Sequence, residues 1–451
     1  MLDIRPRNFD VATPTGATPF RMPLCLPAQA ASETEATIIE WRVGEGDRFR
    51  KGTVLAQVDS AKSVFDFEAP CDGLVIRLLH VEGETVPLAE PVLEIETTDR
   101  AMREWIPPVG AWEEAGLRAE PISPPAAAQA LPGGVVLRGI GAYLPPRVVT
   151  NAELVRGFSD ITDQYVFDVT GIRQRHWAAD GERPSAMAFQ ASLEAIRSSG
   201  LATKDIDAVI VATTTPDVAI PATASILQDQ LNLPTVPAFD LNAACSGWLY
   251  GVAMARGMIL SGLARNVLTV GVDLQSRLLD PADRNSYFLF GDGAGAAIVS
   301  AGAEGHRICQ TILGADSRGG HMARRDTPGY LVANGHGDPW IRIDGHALFR
   351  SATEGFSTII RQAMVRSGWS AGDTRWVIPH QANGRIIKAA AKRSGIDFER
   401  FYINVGNVGN TSAASIPIAL AEVEKSLCPG DKLILCSVGA GITTAAVSIE
   451  W

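Results

Sequence analysis

The sequence predicts a two-part molecule, a large α/β region preceded by a small all-β unit shaped as a flattened barrel. Three observations predict it. At 451 residues the chain exceeds what a single core holds, since domains run to roughly 150 residues each. A stretch rich in Pro, Ala and Gly, with few periodic apolar residues, separates residues 21–98 from residues 134–451 and reads as a linker over 99–133. Before that stretch, short apolar/polar alternations are punctuated by Gly and Asp; after it, apolar runs of strand length alternate with helical spacing.

In chain order, residues 1–20 are an N-terminal extension whose start, Met1-Leu-Asp-Ile-Arg, has no apolar core and does not read as a secretory signal. Within 21–98, Ala36–Val43, Val54–Val58, Leu74–Leu79 and Val92–Ile95 read as strands. Val43-Gly-Glu-Gly-Asp47 is echoed by Val81-Glu-Gly-Glu84, which suggests two related halves. This unit is acidic, with 7 basic against 14 acidic side chains over residues 21–96. The linker, as a coil, spans about 30 Å and at full extension about 120 Å, enough to carry what it tethers across a domain's width. In 134–451, Ala208–Thr213, Val267–Val272, Gly295–Val299, Trp376–Ile378 and Lys432–Ser437 read as buried strands, and Ala186–Ser199 and Trp248–Leu260 as helices. Two halves, about 134–301 and 302–451, each contain a Gly-rich strand segment, Phe290-Gly-Asp-Gly-Ala-Gly-Ala296 and Ser437-Val-Gly-Ala-Gly-Ile-Thr443, which hints at duplication.

Composition narrows the function. With 46% hydrophobic and 20% charged residues the chain is neither disordered nor fibrous. A formal charge of −10 gives no non-specific attraction to nucleic acid or anionic lipid. No apolar run approaches the roughly 20 residues of a membrane span, so the expected compartment is the cytoplasm. The six cysteines are scattered without a C-x-x-C pair, and His176, His321, His336 and His346 lack metal-ligand spacing; no metal site and no disulfide framework is expected, and most of the cysteines read as small buried hydrophobes.

Four residues stand out chemically. Lys62, in Asp59-Ser-Ala-Lys-Ser63 between two strand-like stretches, falls at a hairpin tip, where a lysine is ordinarily just solvated. Cys245, in Asp240-Leu-Asn-Ala-Ala-Cys-Ser-Gly247, falls at a helix start, where the dipole and free amides stabilise a thiolate; nucleophile and inert buried thiol both fit that context. His380 in Val377-Ile-Pro-His-Gln-Ala-Asn383 follows a buried strand, and Asn410 lies in the Gly-rich loop Asn404–Ser415. Strand ends and loops are where α/β enzymes keep their chemistry.

The segment 21–97 resembles a lipoyl domain, through Met22-Pro23, Glu35–Asp47, Lys51-Gly52, the Asp59–Ser63 tip and Ala69-Pro-Cys-Asp-Gly73. The resemblance implies lipoate amidated onto Lys62 by a lipoate ligase, with Asp59 and Asp66 available for its recognition. Biotin carriers share that fold, but their lysine usually lies between methionines, whereas Lys62 has Ala61 and Ser63 beside it. Residues 135–451 resemble the beta-ketoacyl-ACP synthase III family of the thiolase fold, through Gly139–Pro145, Thr170–His176, Ala243-Ala-Cys-Ser-Gly247, Phe290–Ala296, Pro379-His-Gln-Ala-Asn383, Gly409-Asn-Thr-Ser-Ala-Ala-Ser415 and Gly439-Ala-Gly441. That likeness implies a five-layered αβαβα fold, a homodimer, a catalytic triad of Cys245, His380 and Asn410, and an oxyanion hole from the amides of Cys245 and Gly441. It further implies an acyl pocket at Ile220 and Phe349, with Ile220 equally suited to dimer packing, and carrier or coenzyme A contacts at Arg284, Arg385 and Tyr165.

The sequence departs from the family where a primer's nucleotide stacks, with Tyr165 in place of the usual Trp and Val169 in place of the usual Arg, while Arg284 is kept. A weakened clamp favours delivery of the acyl group by the tethered lipoyl arm, loaded by a thiamine-dependent 2-oxo acid decarboxylase. The expected reaction is transfer of that acyl group to Cys245, then decarboxylative condensation with malonyl-ACP or malonyl-CoA to a 3-oxoacyl thioester. Two rivals are an acyltransferase that passes the acyl group to a non-malonyl nucleophile, and a non-catalytic lipoyl carrier subunit of a 2-oxo acid dehydrogenase complex. The second lacks the His-x-x-x-Asp-Gly motif of lipoyl acyltransferases.

Overall fold

In the front unit the apolar/polar alternation becomes two four-stranded sheets. One runs in the order Phe20–Cys25, Pro91–Thr97, Gly73–Leu78, Arg48–Phe49, and the other in the order Val64–Glu68, Val54–Ser60, Glu35–Trp41, Thr85–Pro87. The computed structural model describes residues 19–27, 35–60, 64–88, 90–99, 102, 134–326 and 337–451, and its chain divides into two units, Met1–Ala126 and Ala127–Trp451. Inward-facing Ile38, Leu55, Val58, Leu93 and Ile95 are fully buried between the front unit's sheets.

The sequence echo is a structural repeat. Gly46 donates to Val75 O while Val75 donates to Asp47 O, both at 2.9 Å; Gly83 donates to Ile38 O at 2.7 Å while Ile38 donates to Glu84 O at 3.0 Å. Both turn glycines take left-handed φ values, 90° and 81°, which glycine adopts without the Cβ penalty. Strands Val54–Ser60 and Val64–Glu68 form an antiparallel hairpin with Asp59 opposite Val64. Lys62 falls between these strands, in residues 61–63, which lie outside the described residues.

In the second unit nine strands are hydrogen-bonded in one row. The first half supplies Ala238–Leu241, Ala208–Ala212, Asn266–Leu274, Asp292–Ala301 and Val135–Tyr143, its third, second, fourth, fifth and first long strands. From the opposite edge the second half repeats that order with Thr374–Pro379, Lys432–Gly439, Thr443–Glu450 and His306–Ala315. Its third strand is reduced to one parallel bridge, Phe401 to Val377. The halves join through Leu137 opposite His306 and Val136 opposite Arg307.

Helices Gly247–Leu260 and Ser415–Val423 form the middle layer, in one apolar cluster with Ile210 and Val299 of the first half and Leu435 and Val447 of the second. Buried on opposite sides, they are apolar nearly all round. Pro184–Ser199 and Thr223–Gln230 cover the outer face of the first half, and Gly345–Ser367 and Gly384–Ser394 that of the second, which completes five αβαβα layers. Gly345–Ser367 shows how such an outer helix is specified. Asp344 caps it by accepting from the Ala347 amide at 3.0 Å, Phe356, Ile359, Ile360 and Ala363 form its buried stripe, and Gly368 ends it at φ 68°.

One close approach fixes the site. A Cβ on Gly271 would lie 2.4 Å from Ala413 O, so only glycine lets the strand Asn266–Leu274 press against the loop that carries Asn410.

Candidate active site

Cys245 lies in the single turn Ala244–Ser246, which runs directly into helix Gly247–Leu260. Ala244 takes φ 48° and its amide donates to Asn242 Oδ1 at 3.1 Å. Holding a non-glycine residue there costs about 1–2 kcal/mol, and such strain collects where a side chain must be aimed. The turn presents Cys245 to a cavity of about 1560 Å³, which His380 and Asn410 also line.

The sulfur is 3.6 Å from Ser412 Oγ, and the backbone amides of Cys245 and Ala440 reach it. Burial nevertheless pushes the thiol up to about 11, with the Asp273 charge adding to it. The helix start is where the sequence placed it, and desolvation there works against the thiolate that a helix start favours. The amide that reaches the sulfur is that of Ala440, next to the expected Gly441, and both residues line the cavity. A Cβ on Gly439 would stand 3.0 Å from the Cys245 and Ser246 nitrogens and 2.6 Å from Thr443 Oγ1. Glycine is what lets this strand end approach the nucleophile turn.

His380 follows strand Thr374–Pro379 and is 1% exposed. Its amide donates to Cys436 O at 2.7 Å, and its Nδ1 is 2.7 Å from Ser415 Oγ. Burial lowers its pKa to about 3, so the ring is neutral at every working pH. Asn410 is fixed at three points. Its amide donates to Leu289 O at 2.9 Å, its carbonyl accepts from Gly291 at 3.0 Å, and its Oδ1 accepts from the Ser412 amide at 2.9 Å. Asp273, fully buried, accepts from Thr214 N and Oγ1 at 2.8 Å and from the Ala413 amide at 3.1 Å, which locks the Asn410 loop to the first half.

His306 shares the histidine's predicament, since its ring stacks on Trp451 with centroids 3.4 Å apart and burial lowers its pKa to about 4. Both values lie below the roughly 6.5 of an unfolded histidine. Protons therefore bind the unfolded chain first; this stability is complete above pH ~6.5 and is lost as pH falls through 4 towards 3. We expect the thermal midpoint to fall continuously from pH 6.5 to 4, and His306→Phe, which keeps the stacking, to flatten part of that fall in a pH series of melting curves.

Among the other expected site residues, Tyr165, Arg284, Arg385 and Phe349 line the same cavity, as does Val169. Tyr165 is 55% exposed. Arg284 donates to Asp160 at 2.6 Å, and its guanidinium lies 5.6 Å from the Phe158 ring centre. Arg385 opens helix Gly384–Ser394, its amide donating to Asn383 Oδ1 at 2.8 Å. Ile220 does not line the cavity. It is 89% exposed, while Val218 and Ala219 just before it form the wall. Of the cysteines, Cys25, Cys71 and Cys436 are buried, whereas Cys428 is exposed. Ser412 and Ser415 were present in the quoted loop motif without a role, and their side chains turn out to touch Cys245 and His380. Asp273 carried no motif at all.

Comparison with known proteins agrees with this geometry. The family models for 3-oxoacyl-[acyl-carrier-protein] synthase III and its C-terminal domain match residues 239–317 and 364–451, and a biotin/lipoyl model described as biotin-requiring enzyme matches residues 23–95. The chain is 41% identical over 322 residues to the beta-ketoacyl-[acyl-carrier-protein] synthase III of Rhodobacter capsulatus, covering 70% of this chain and 98% of that protein. It is 41% identical over 325 residues to a beta-ketoacyl-[acyl-carrier-protein] synthase III of Streptomyces coelicolor, covering 70% and 97%. The crystal structure of the Aquifex aeolicus synthase III superposes with a TM-score of 0.66 at 37% identity, over 70% of this chain and all of that one. The Pseudomonas aeruginosa structure gives 0.66 at 39% identity, over 70% and 98%. The chain therefore belongs to the beta-ketoacyl-ACP synthase III family of condensing acyltransferases, with a biotin/lipoyl domain in front of the thiolase-fold enzyme.

Proposed function

We propose that this synthase runs its condensation as two half-reactions on Cys245, with His380 and Asn410 completing the site. In the first, Sγ attacks the carbonyl carbon of an acyl thioester. The new C–S bond forms as the old one breaks, and the donor leaves as a free thiol with the proton that Cys245 gives up. The amides of Cys245 and Ala440 receive the oxyanion of the tetrahedral intermediate; such donors are worth about 3 kcal/mol each. In the second, a malonyl thioester loses its carboxylate as carbon dioxide, and the electron pair of the broken C–C bond becomes an enolate. His380 Nε2–H and Asn410 Nδ2–H donate to the enolate oxygen. Its carbon then attacks the acyl-Cys245 carbonyl, and Cys245 departs and recovers a proton.

Ser415 is placed to support the tautomer this step needs. For Nε2 to donate, Nδ1 must accept, and the Ser415 hydroxyl at 2.7 Å is the donor it meets. Likewise the Ser412 amide holds Asn410 Oδ1, which turns the amide so that Nδ2 is the end left to donate. The observation that carries this reading is the convergence of a cysteine, a histidine held neutral by burial and an anchored asparagine on one cavity.

Upstream of the enzyme, we take Lys62 as the attachment point of lipoate, supplied by a lipoate ligase and acylated by a thiamine-dependent 2-oxo acid decarboxylase. The paired strands that end at Ser60 and resume at Val64 fit a carrier lysine at a hairpin tip, and Ala61 and Ser63 beside it favour lipoate over biotin. A lipoyl group there would supply a thiol able to hold an acyl group. The altered clamp at Tyr165 and Val169 supports that route over free coenzyme A. Arg385, at the cavity rim, suits docking of malonyl-ACP, and exposed Ile220 suits packing in a homodimer.

The test is mass spectrometry of the Cys245 peptide together with counting of carbon dioxide from labelled malonyl thioester. We expect acyl-Cys245 and one carbon dioxide per 3-oxoacyl product. Acyl-Cys245 discharging to an amine or alcohol without decarboxylation would establish the acyltransferase alternative instead.

A further inference from the structure

We propose that Ser412 is a further catalytic residue of the condensation, its hydroxyl donating to Cys245 Sγ when the sulfur attacks the incoming thioester and again when it departs from the 3-oxoacyl product. The inference rests on Cys245 being the acylated residue, and it names the group that steadies the charge on the sulfur.

The two halves of the second unit share a turn, and they differ at the residue that matters. In the first half the turn Ala244–Ser246 runs into helix Gly247–Leu260; in the second the turn Ser412–Ala414 runs into helix Ser415–Val423. Each is set by an asparagine two residues before the turn's first residue, Asn242 Oδ1 accepting from the Ala244 amide at 3.1 Å and Asn410 Oδ1 from the Ser412 amide at 2.9 Å. Each opens on a left-handed residue, with φ 48° at Ala244 and 52° at Ser412. Since the first half builds this turn with alanine, the backbone itself has no use for a hydroxyl in the second. What the hydroxyl does is meet the nucleophile. Ser412 is 2% exposed, and among the described residues its Oγ is hydrogen-bonded to Cys245 Sγ, 3.6 Å away.

The sulfur needs such a donor. Burial raises the thiol and the Asp273 charge adds to that, while the Ser412 hydroxyl opposes them more strongly than the amides of Cys245 and Ala440 do. A hydrogen bond to an ionised acceptor is about twice as strong as one between neutral groups, and stronger again in a desolvated site. The two amides are drawn away as the reaction proceeds, because they receive the oxyanion, and His380 serves the enolate. Ser412 stays with the sulfur, held on both sides by its own amide on Asn410 and by the Ala413 amide on Asp273 at 3.1 Å. The hydroxyl keeps its proton throughout. In loading, the Sγ–C bond forms, the donor's C–S bond breaks and the thiol proton leaves on the donor thiol; in condensation the Sγ–C bond breaks and the sulfur recovers a proton from solvent.

The experiment compares the full chain with Ser412→Ala and Ser412→Gly, which remove the oxygen and leave the amide that holds Asn410. Alanine already occupies the matching position 244, and glycine takes a left-handed φ without penalty, so melting curves are expected to show both variants folded; one folded variant is enough. Two rates are followed at fixed pH by mass spectrometry of the Cys245 peptide. One is acylation by butyryl-CoA, and the other is alkylation by iodoacetamide, which consumes the thiolate without using the acyl site. Both are expected to fall roughly ten- to a hundredfold, the scale of a hydrogen bond to a charged group, while carbon dioxide release from malonyl-CoA by the unacylated protein persists. Unchanged rates overturn the assignment of Ser412 and leave acyl-Cys245 standing. Slower acylation with unchanged alkylation also overturns it, since the hydroxyl would then act on the substrate and not on the sulfur. Loss of carbon dioxide release along with both rates, or loss of the fold in both variants, overturns it in favour of a role in holding the loop. No acyl group on Cys245 of the parent chain overturns both readings.

Discussion

Cys245→Ala is expected to take up no acyl group from any thioester and to lower 3-oxoacyl formation by about 10⁴-fold or more, the size of effect seen when a covalent nucleophile is removed. Carbon dioxide release from the malonyl thioester should persist, because the enolate is stabilised by His380 and Asn410 and not by the sulfur. The variant thus separates the two half-reactions. The same site sets the pH dependence of loading in the parent protein. With the thiol raised by burial well above its ordinary value, the thiolate is the minor form at pH 7.5, and the loading rate climbs with pH from 6 to 9 as that fraction grows. His380, at about 3, is neutral throughout this window and adds no inflection. Single-turnover acylation read by intact mass across pH 6–9, beside carbon dioxide counts for Cys245→Ala, checks both halves. A Cys245→Ala protein that still transfers acyl groups, or one that ceases to release carbon dioxide while remaining folded, would sink the division of labour.

What could be read from residues alone, and what could not, follows the range over which each property is decided. Helix Pro184–Ser199 and helix Gly247–Leu260 were legible within two residues because their runs are long and bounded by Gly or Pro. The four-residue strand Ala238–Leu241 and the one-bridge remnant at Phe401 were not, since a strand that short is defined by its neighbour and not by its own pattern. Cys245, His380 and Asn410 were legible because each sits in a distinctive local motif. In Gly439-Ala-Gly441, by contrast, any of the amides could serve, and which of them reaches the sulfur depends on how Gly439 brings the chain against the Cys245 turn, which no motif states. The thiol's raised pKa was likewise out of reach, because helix position is local while desolvation is set by everything packed around the site. The surroundings of Ile220 were out of reach for a related reason. The loop after strand Ala208–Ala212 faces the cavity through Val218 and Ala219 and has turned outward by the next position.

Lys62→Arg is expected to abolish covalent modification of the front domain and, with 2-oxo acid and its decarboxylase as the sole acyl source, to reduce acylation of Cys245 by about 10²-fold or more. The size follows from tethering. A lysine-borne thiol on a linker of this length presents its cargo at an effective concentration in the millimolar range, whereas an untethered donor acts at its own micromolar concentration. Arginine keeps the charge, and melting curves of the two proteins establish that the loss reports on attachment alone. Intact mass gives a readout independent of turnover, the lipoyl increment present in the parent chain and missing in the variant. Loading from acyl-CoA or from a soluble dihydrolipoamide thioester bypasses Lys62 and should be equal in the two proteins, because Cys245, Ala440 and the cavity are unchanged. If the parent chain carries biotin or no group at Lys62, or if Lys62→Arg is acylated as fast as the parent from the decarboxylase, delivery by the front domain is wrong even though the condensing site stands. The sequence motivates that route through Tyr165 and Val169. A site with a weak grip on the nucleotide end of coenzyme A gains little from a free donor and most from one that never leaves, so the equality on soluble donors and the disparity on the decarboxylase-loaded arm must appear together.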